Sequence, residues 1–88
     1  MKHDLKTWPE FFQAMWDGKK TFEIRKADRE FEVGDTLVLR EYIPAIAYAY
    51  FPTSLPEYTG REMSVLVTYI LQGMGLKDGY VCMSISAQ

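Results

Sequence analysis

The feature that most constrains the fold of this chain is a glycine followed by alternating polar and apolar residues, in the run Gly18-Lys19-Lys20-Thr21-Phe22-Glu23-Ile24-Arg25. The glycine can end a preceding helix, and the alternating residues after it predict a strand over 21–26. Because strand side chains alternate between faces, we expect Phe22 and Ile24 to join the core and the polar residues to lie opposite them. That polar row is either a ligand-binding surface or the solvated face of a sheet.

Positive charge is concentrated in and just after this strand. Residues 19–29 carry five basic and two acidic side chains, whereas the 88-residue chain has a formal net charge of −2. A local basic patch on an acidic protein can attract a phosphate or a carboxylate. The acidic balance of the whole chain argues against non-specific binding of duplex DNA.

Length and composition predict one globular domain spanning 1–88. Nearly half of the residues are hydrophobic, and 15% are aromatic. The lone cysteine, Cys82, cannot form an internal disulfide, and no apolar run approaches a membrane span, so we expect a cytoplasmic protein with no membrane contact. His3 and Cys82 lie at opposite ends of the chain, and this spacing predicts no metal site and no cofactor.

An amphipathic helix is predicted near the N-terminus. Thr7 and Glu10 have the spacing of a capping box, and Pro9 suits the first helical turn. Apolar residues then recur at helical spacing and form one stripe, which we expect to cover an end or a side of a sheet. The stripe consists of Trp8, Phe11, Phe12, Met15 and Trp16.

Three further strands are predicted over 36–42, 58–71 and 80–86. In the second of them, Val65, Val67 and Tyr69 alternate with more polar residues and should share a face. Gly34-Asp35 and Lys77-Asp78-Gly79 are turn signals before the first and the third of these strands. One helix and at least four strands with short connections predict an α+β fold, a small bent sheet or barrel with the helix over one opening.

The segment 43–57 differs from the rest of the chain. It contains three prolines and an apolar run over 45–51, and it carries no charged residue before Glu57. Prolines exclude a long regular helix, and an exposed loop of this composition would tend to aggregate. The segment either packs back on the body, forms a hairpin extension, contacts a protein (self-association included), or forms the wall of a ligand site.

Short motifs along nearly the whole chain resemble one family, DUF3850, in the ASCH branch of the PUA-like superfamily. They are His3-x-Leu5-Lys6, the helix with Pro9 and Phe11-Phe12, Gly18 to Arg25, Asp28-Arg29, Phe31-x-Val33-Gly34-Asp35, Arg40-Glu41-Tyr42, Tyr58-Thr59-Gly60-Arg61, Val67 to Leu71, and Gly75-Leu76-x-x-Gly79-Tyr80-Val81-x-Met83-Ser84-Ile85. Their order and spacing together carry the resemblance. Segment 43–57 looks like an insertion in a short hairpin connection.

The resemblance implies a PUA-like pseudo β-barrel of bent, mostly antiparallel strands, with the helix beside an open cleft. ASCH domains are thought to bind RNA or nucleotide-like ligands there, and the signature Gly-x-Lys-x-x-x-Ile-Arg, here Gly18, Lys20, Ile24 and Arg25, lines the cleft. Some small ASCH proteins are amidohydrolases on N4-acylated cytidines that use a lysine, a threonine and a glutamate. The lysine matches Lys20, but Glu23 occupies the threonine position, and Glu62 is the nearest match to the glutamate.

Three functions follow as hypotheses. The first is a module that binds RNA or a nucleotide-like ligand, with contacts from Lys6, Lys20, Glu23, Arg25, Arg29, Tyr42 and Tyr80; its basic residues would contact phosphate and its tyrosines would stack on bases. The second is a small amidohydrolase with Lys20 as base and Glu23 or Thr21 taking part. The third is an interaction protein that docks through segment 43–57. The misplaced threonine favours binding over catalysis.

Overall fold

The computed structural model describes residues 1–44 and 57–88. Its elements in chain order are β1 (Lys2–Thr7), α1 (Pro9–Trp16), β2 (Phe22–Lys26), β3 (Thr36–Ile43), β4 (Glu57–Gln72) and β5 (Tyr80–Ala87). The helix and the four predicted strands are confirmed within a residue or two at each end. Strand β1 was not predicted, although His3, Leu5 and Thr7 are buried at every second position. Residues 45–56, which make up most of segment 43–57, lie outside the described residues, and so does the packing or docking role predicted for them.

The strands form one curled, half-barrel sheet in the order β1-β3-β4-β5-β2. All neighbouring strands are antiparallel except β1 and β3, which run parallel. This pair is parallel because helix α1 and strand β2 lie between β1 and β3 in the chain, which gives the connection the length that a parallel pairing needs. Strands β1 and β2 are therefore the two edges of the sheet. The predicted α+β class with a bent, mostly antiparallel sheet is confirmed at this level.

The core fills the concave side of the sheet. Its fully buried members include Phe12, Leu37, Leu39, Val67 and Met83. On β5, Val81, Met83 and Ile85 all face inward, as their alternation predicted. Within the described residues, α1 is far shorter and less apolar than a helix that could cross a membrane.

Helix α1 ends as predicted but begins differently. Gly18 has a φ of +74°, and the N–H groups of Gly18 and Lys19 donate to the carbonyls of Met15 and Ala14 at 3.0 and 2.9 Å. This pair of bonds is a Schellman motif, which favours glycine at its left-handed position. The predicted N-cap role of Thr7 is wrong, because Thr7 ends β1 and Trp8 precedes the helix without a side-chain cap.

The prediction that the whole aromatic stripe covers the sheet is wrong in part. Phe12 and Met15 are buried, whereas Trp8, Phe11 and Trp16 are about half exposed. An eight-residue helix has little more than two turns, so the sheet below it covers only the two residues at the centre of the stripe.

The predicted facing of Tyr69 is wrong because β4 contains a β-bulge. The pairing of β4 with β5 shifts register between Val67 and Tyr69, and one extra residue reverses which side chains face inward. Val65 and Val67 are buried as expected, but Tyr69 is 65% exposed and Ile70 packs against the core instead.

The predicted facing of β2 is also wrong. Glu23 is 3% exposed, whereas Phe22 and Ile24 are 43% and 48% exposed. Because β2 is an edge strand, its inner face looks toward the gap between the two sheet edges rather than toward the centre of the core. Two cations in that gap, Lys20 and Arg25, compensate the charge of Glu23 and make its burial possible.

A buried carboxylate fastens β1 to the turn before β3. One oxygen of Asp35 accepts a bond from the amino group of Met1 at 2.8 Å, and the other lies 2.8 Å from Nε2 of His3 and accepts the backbone N–H of Glu32 at 3.0 Å. The bond from the amino group, and to a smaller extent that from His3, holds the pKa of Asp35 well below its usual range, although burial opposes the shift. His3 therefore has a structural role.

Loss of this carboxylate should weaken the acid dependence of folding. Because the folded-state pKa of Asp35 lies below its unfolded value of 3.8, its stabilising contribution is present above that pH and is lost as the pH falls toward the folded pKa. We expect Asp35→Asn to lower the free energy of unfolding at pH 7 by about 1–3 kcal/mol, with a shallower decline than in the wild type between about pH 4 and pH 2. Urea denaturation across this range measures both effects, and parallel curves would contradict the assignment.

Candidate nucleotide-binding cleft

A cleft of about 410 Å³ opens between the end of β1, the start of α1 and strand β2. We call it the Glu23 cleft. Its polar lining consists of Lys6, Thr7, Lys20, Glu23 and Arg25, and its apolar lining consists of Trp8, Phe11, Phe22 and Ile24. The two sheet edges approach each other here without a continuous ladder between them, so the opening is a consequence of the half-barrel.

The Glu23 carboxylate is bound by two cations. Oε1 accepts a bond from Nζ of Lys20 at 2.7 Å, and Oε2 accepts one from Nε of Arg25 at 2.7 Å. Glu23 and Arg25 therefore form an internal ion pair on β2. The three formal charges sum to one positive charge, which is a suitable environment for an anionic or polar ligand.

The Arg25 guanidinium joins the two edges of the sheet. From β2 it donates to the backbone oxygen of Lys6 at 2.9 Å and to Oγ1 of Thr7 at 3.2 Å, both on β1. A guanidinium has five N–H groups, of which these contacts and the bond to Glu23 use three. Arg25 therefore closes the half-barrel by side-chain bonds and still has two N–H groups for a ligand.

Lys20 fixes the other side of the carboxylate. Its ammonium group donates to the backbone oxygen of Phe22 at 2.6 Å as well as to Glu23, and lies 4.9 Å from the centre of the Phe22 ring. With these acceptors in place, Lys20 is an anchored cation rather than a mobile one.

The structure brings most of the predicted ligand contacts together. Lys6, Lys20, Glu23 and Arg25 line the Glu23 cleft. Nζ of Lys6 lies 4.6 Å from the centre of the Tyr42 ring, but Tyr42 itself lines neither this cleft nor its neighbour. Arg29 lines a neighbouring cleft that shares Lys6 and Arg25.

Three of the predicted residues lie elsewhere. Tyr80 begins β5 opposite Lys26 and lines neither of these two clefts. Thr21 lines a separate, smaller cavity beside Met15 and Met63. Glu62 is exposed on β4 and faces Arg40 across the strand pair, with 3.9 Å between Nε and Oε2.

Four residues of the cleft were not predicted to lie in it, namely Thr7, Trp8, Phe11 and Phe22, the last of which was expected in the core. Thr7 supplies a hydroxyl, and Trp8 and Phe11 supply an exposed aromatic wall, with their rings 6.3 Å apart and nearly parallel. Thr7 is one of the alternate buried positions of β1, and its polar side chain hides that position in the sequence. No local signal separates the exposed aromatics of α1 from the buried ones, because only the position of the helix on the sheet decides it.

Comparison with known proteins gives one family match and one relative. The family model described as "Domain of unknown function (DUF3850)" matches residues 2–85. An uncharacterized 12.9 kDa protein in the GpA 3′ region of Escherichia phage P2 is 30% identical over 79 residues, which are 90% of this chain. The chain spans 62% of the length of that phage protein. Since the family model covers nearly every described element, the chain belongs to the DUF3850 family.

Proposed function

We propose that the Glu23 cleft binds one unpaired nucleotide of an RNA, or a nucleotide-like ligand. The observation that carries the proposal is a carboxylate only 3% exposed, held between two cations at the base of a cleft with aromatic walls. Ligand sites in proteins combine such apolar walls with a few fixed polar groups, and about 410 Å³ falls within their usual size. The proposed fold assignment is to the ASCH branch of the PUA-like superfamily, which membership in DUF3850 and the half-barrel sheet support.

The polar groups at the base of the cleft suit the edge of a nucleobase. Each oxygen of Glu23 has one partner and can accept a further bond, for example from an exocyclic amine or a ribose hydroxyl. Arg25 has two further N–H groups that can donate to a ring nitrogen or a carbonyl oxygen beside that amine. Acceptor and donor therefore lie side by side, as they must to match a base edge.

Stacking supplies the rest of the proposed recognition. Trp8 and Phe11 line the cleft and are about half exposed, and unpaired bases stack on aromatic side chains with a gain of about 1–3 kcal/mol per base. Lys6 at the mouth can contact the attached phosphate. Tyr80 has no place in this arrangement.

The geometry favours binding over hydrolysis of N4-acylated cytidine. Lys20 contacts Glu23, but Thr21 lies outside the cleft. The Thr7 hydroxyl lies inside it but accepts a bond from Arg25 and has no contact with Lys20. A base and a nucleophile need such a contact for proton transfer.

An NMR titration with a short single-stranded RNA, cytidine and N4-acetylcytidine tests the proposal. We expect shifts centred on the Glu23 cleft, and a loss of affinity of roughly tenfold in Trp8→Ala, because one stacking partner is removed. Trp16→Ala is the matched control, since Trp16 is on the same helix, is 56% exposed and does not line the cleft.

Two outcomes would count against binding by this cleft. Equal affinities of Trp8→Ala and the wild type would exclude the aromatic wall, and shifts remote from β2 would place the ligand elsewhere. Conversion of N4-acetylcytidine to cytidine by the wild type would replace the binding proposal with the catalytic one.

A further inference from the structure

A second cleft, of about 320 Å³, lies beside the first and is strongly basic. We call it the Arg29 cleft. Its lining includes five cationic side chains and only two carboxylates, those of Asp4 and Asp28, in a chain whose formal net charge is −2. The cations are Lys6, Arg25, Lys26, Arg29 and Arg40. A concave surface focuses such a local excess of positive charge, which raises the local concentration of anions.

Two of the three arginines in this cleft, Arg29 and Arg40, are weakly engaged, whereas Arg25 is held by its bonds to Glu23, Lys6 and Thr7. Nε of Arg29 lies 3.5 Å from Asp28 and Nε of Arg40 lies 3.9 Å from Glu62, and all four side chains are more than 40% exposed. Exposed ion pairs of this kind contribute about 0–1 kcal/mol, so a ligand can displace them at little cost. The Arg40 guanidinium is also held 4.1 Å from the centre of the Tyr58 ring, which orients it before a ligand arrives.

This arrangement contrasts with the Glu23 cleft. There, a buried carboxylate takes one bond from each of two cations; here, no buried carboxylate lies among the lining residues that the structure describes. One arginine guanidinium can donate two parallel N–H bonds to two oxygens of a phosphate. Such charge-assisted hydrogen bonds are about twice as strong as neutral ones.

We propose that the Arg29 cleft is a phosphate site. Lys6 and Arg25 line both clefts, so the two sites are adjacent. If the Glu23 cleft binds a base, as in the proposed function, the same nucleotide can place its phosphate in the Arg29 cleft. The ligand class is accordingly a phosphorylated nucleotide or an RNA segment rather than a free nucleoside.

Pyrophosphate alone tests the anion site. Titration of the labelled protein should shift the resonances of Lys26, Arg29 and Arg40, and the double variant Arg29→Ala/Arg40→Ala should bind pyrophosphate at least tenfold more weakly. Lys77→Ala is the control, because Lys77 is exposed and lies outside both clefts. Uniform shifts at every basic residue, or unchanged binding by the double variant, would overturn the proposal.

Comparison of cytidine with its 5′- and 3′-monophosphates separates this inference from the proposed function. We expect at least one monophosphate to bind tenfold more tightly than cytidine at low salt, with the advantage falling as salt rises and disappearing in the double variant. Cytidine binding with no phosphate advantage would overturn the inference and leave the proposed function standing. Pyrophosphate binding without binding of any nucleoside or nucleotide at the Glu23 cleft would support the anion site and contradict the proposed function.

Discussion

Arg25→Ala is expected to lower the free energy of unfolding by about 3 kcal/mol, which is a large share of the stability of a small domain. The variant removes three hydrogen bonds together, those to Glu23, to the Lys6 carbonyl and to the Thr7 hydroxyl. It leaves the buried Glu23 with one of its two cations. It also removes a link between β1 and β2, the two edges of the sheet. Urea denaturation followed by tryptophan fluorescence measures the change.

Arg25→Lys should recover little of this loss. A lysine keeps the charge but has a single ammonium group, and it cannot reproduce the planar fork that reaches three acceptors on two strands. Arg29→Ala is the control for loss of a positive charge, because Arg29 is exposed and its ion pair with Asp28 is long, so we expect a change within about 0.5 kcal/mol. If Arg25→Lys were as stable as the wild type, charge alone would explain the role of Arg25, and the proposed closure of the half-barrel would be wrong.

Glu23→Gln is expected to destabilise the protein by a similar amount, about 3 kcal/mol, and to abolish ligand binding at the Glu23 cleft. Glutamine has nearly the same shape as glutamate, but only one of its two polar atoms is an acceptor. If that oxygen accepts the bond from Lys20, the amide group faces the N–H of Arg25, and two donors are brought together. Two cations then remain in a partly buried site without a compensating charge.

Glu62→Gln is the control that shows what the same substitution does at an exposed carboxylate. Glu62 is also on a strand, but it is 61% exposed in its side chain and lies 3.9 Å from Arg40, so its replacement should change stability by less than about 0.5 kcal/mol. A chemical-shift spectrum of Glu23→Gln should first show that the variant is folded, and a titration should then show no saturable binding. Wild-type affinity in this variant would exclude Glu23 from the site.

The pattern of strands could be read from the sequence because it depends on local properties. The turn signals before them located β3 and β5 to within one residue, and alternation indicated the inward face of β5. The Gly18 turn followed from the one residue type that adopts a left-handed conformation without strain. Strand β1 was missed because its inner positions include His3 and Thr7, which look polar until Asp35 and Arg25 are placed beside them.

The sequence identified most of the polar residues of the candidate site but not the face of β2 that points inward. Glu23 and Arg25 were chosen from the polar alternation of β2 and Lys20 from the lysine of the ASCH signature, and the structure does bring the three together. The burial of Glu23 was not expected, because apolar residues at alternate positions normally mark the core face. On this edge strand the rule fails, since the neighbouring edge supplies hydrogen-bond acceptors rather than apolar side chains.

By itself, the sequence determined helix α1, strands β2 to β5, where the helix ends and where positive charge collects, since each of these depends on residues close together in the chain. Only the tertiary structure decided which face of β2 points inward, which aromatics of α1 remain exposed, and that Arg25 joins two sheet edges. Those outcomes depend on contacts between residues 18 or more positions apart, such as Arg25 with Thr7. The curl of the sheet brings such residues together, and local alternation carries no information about that curl.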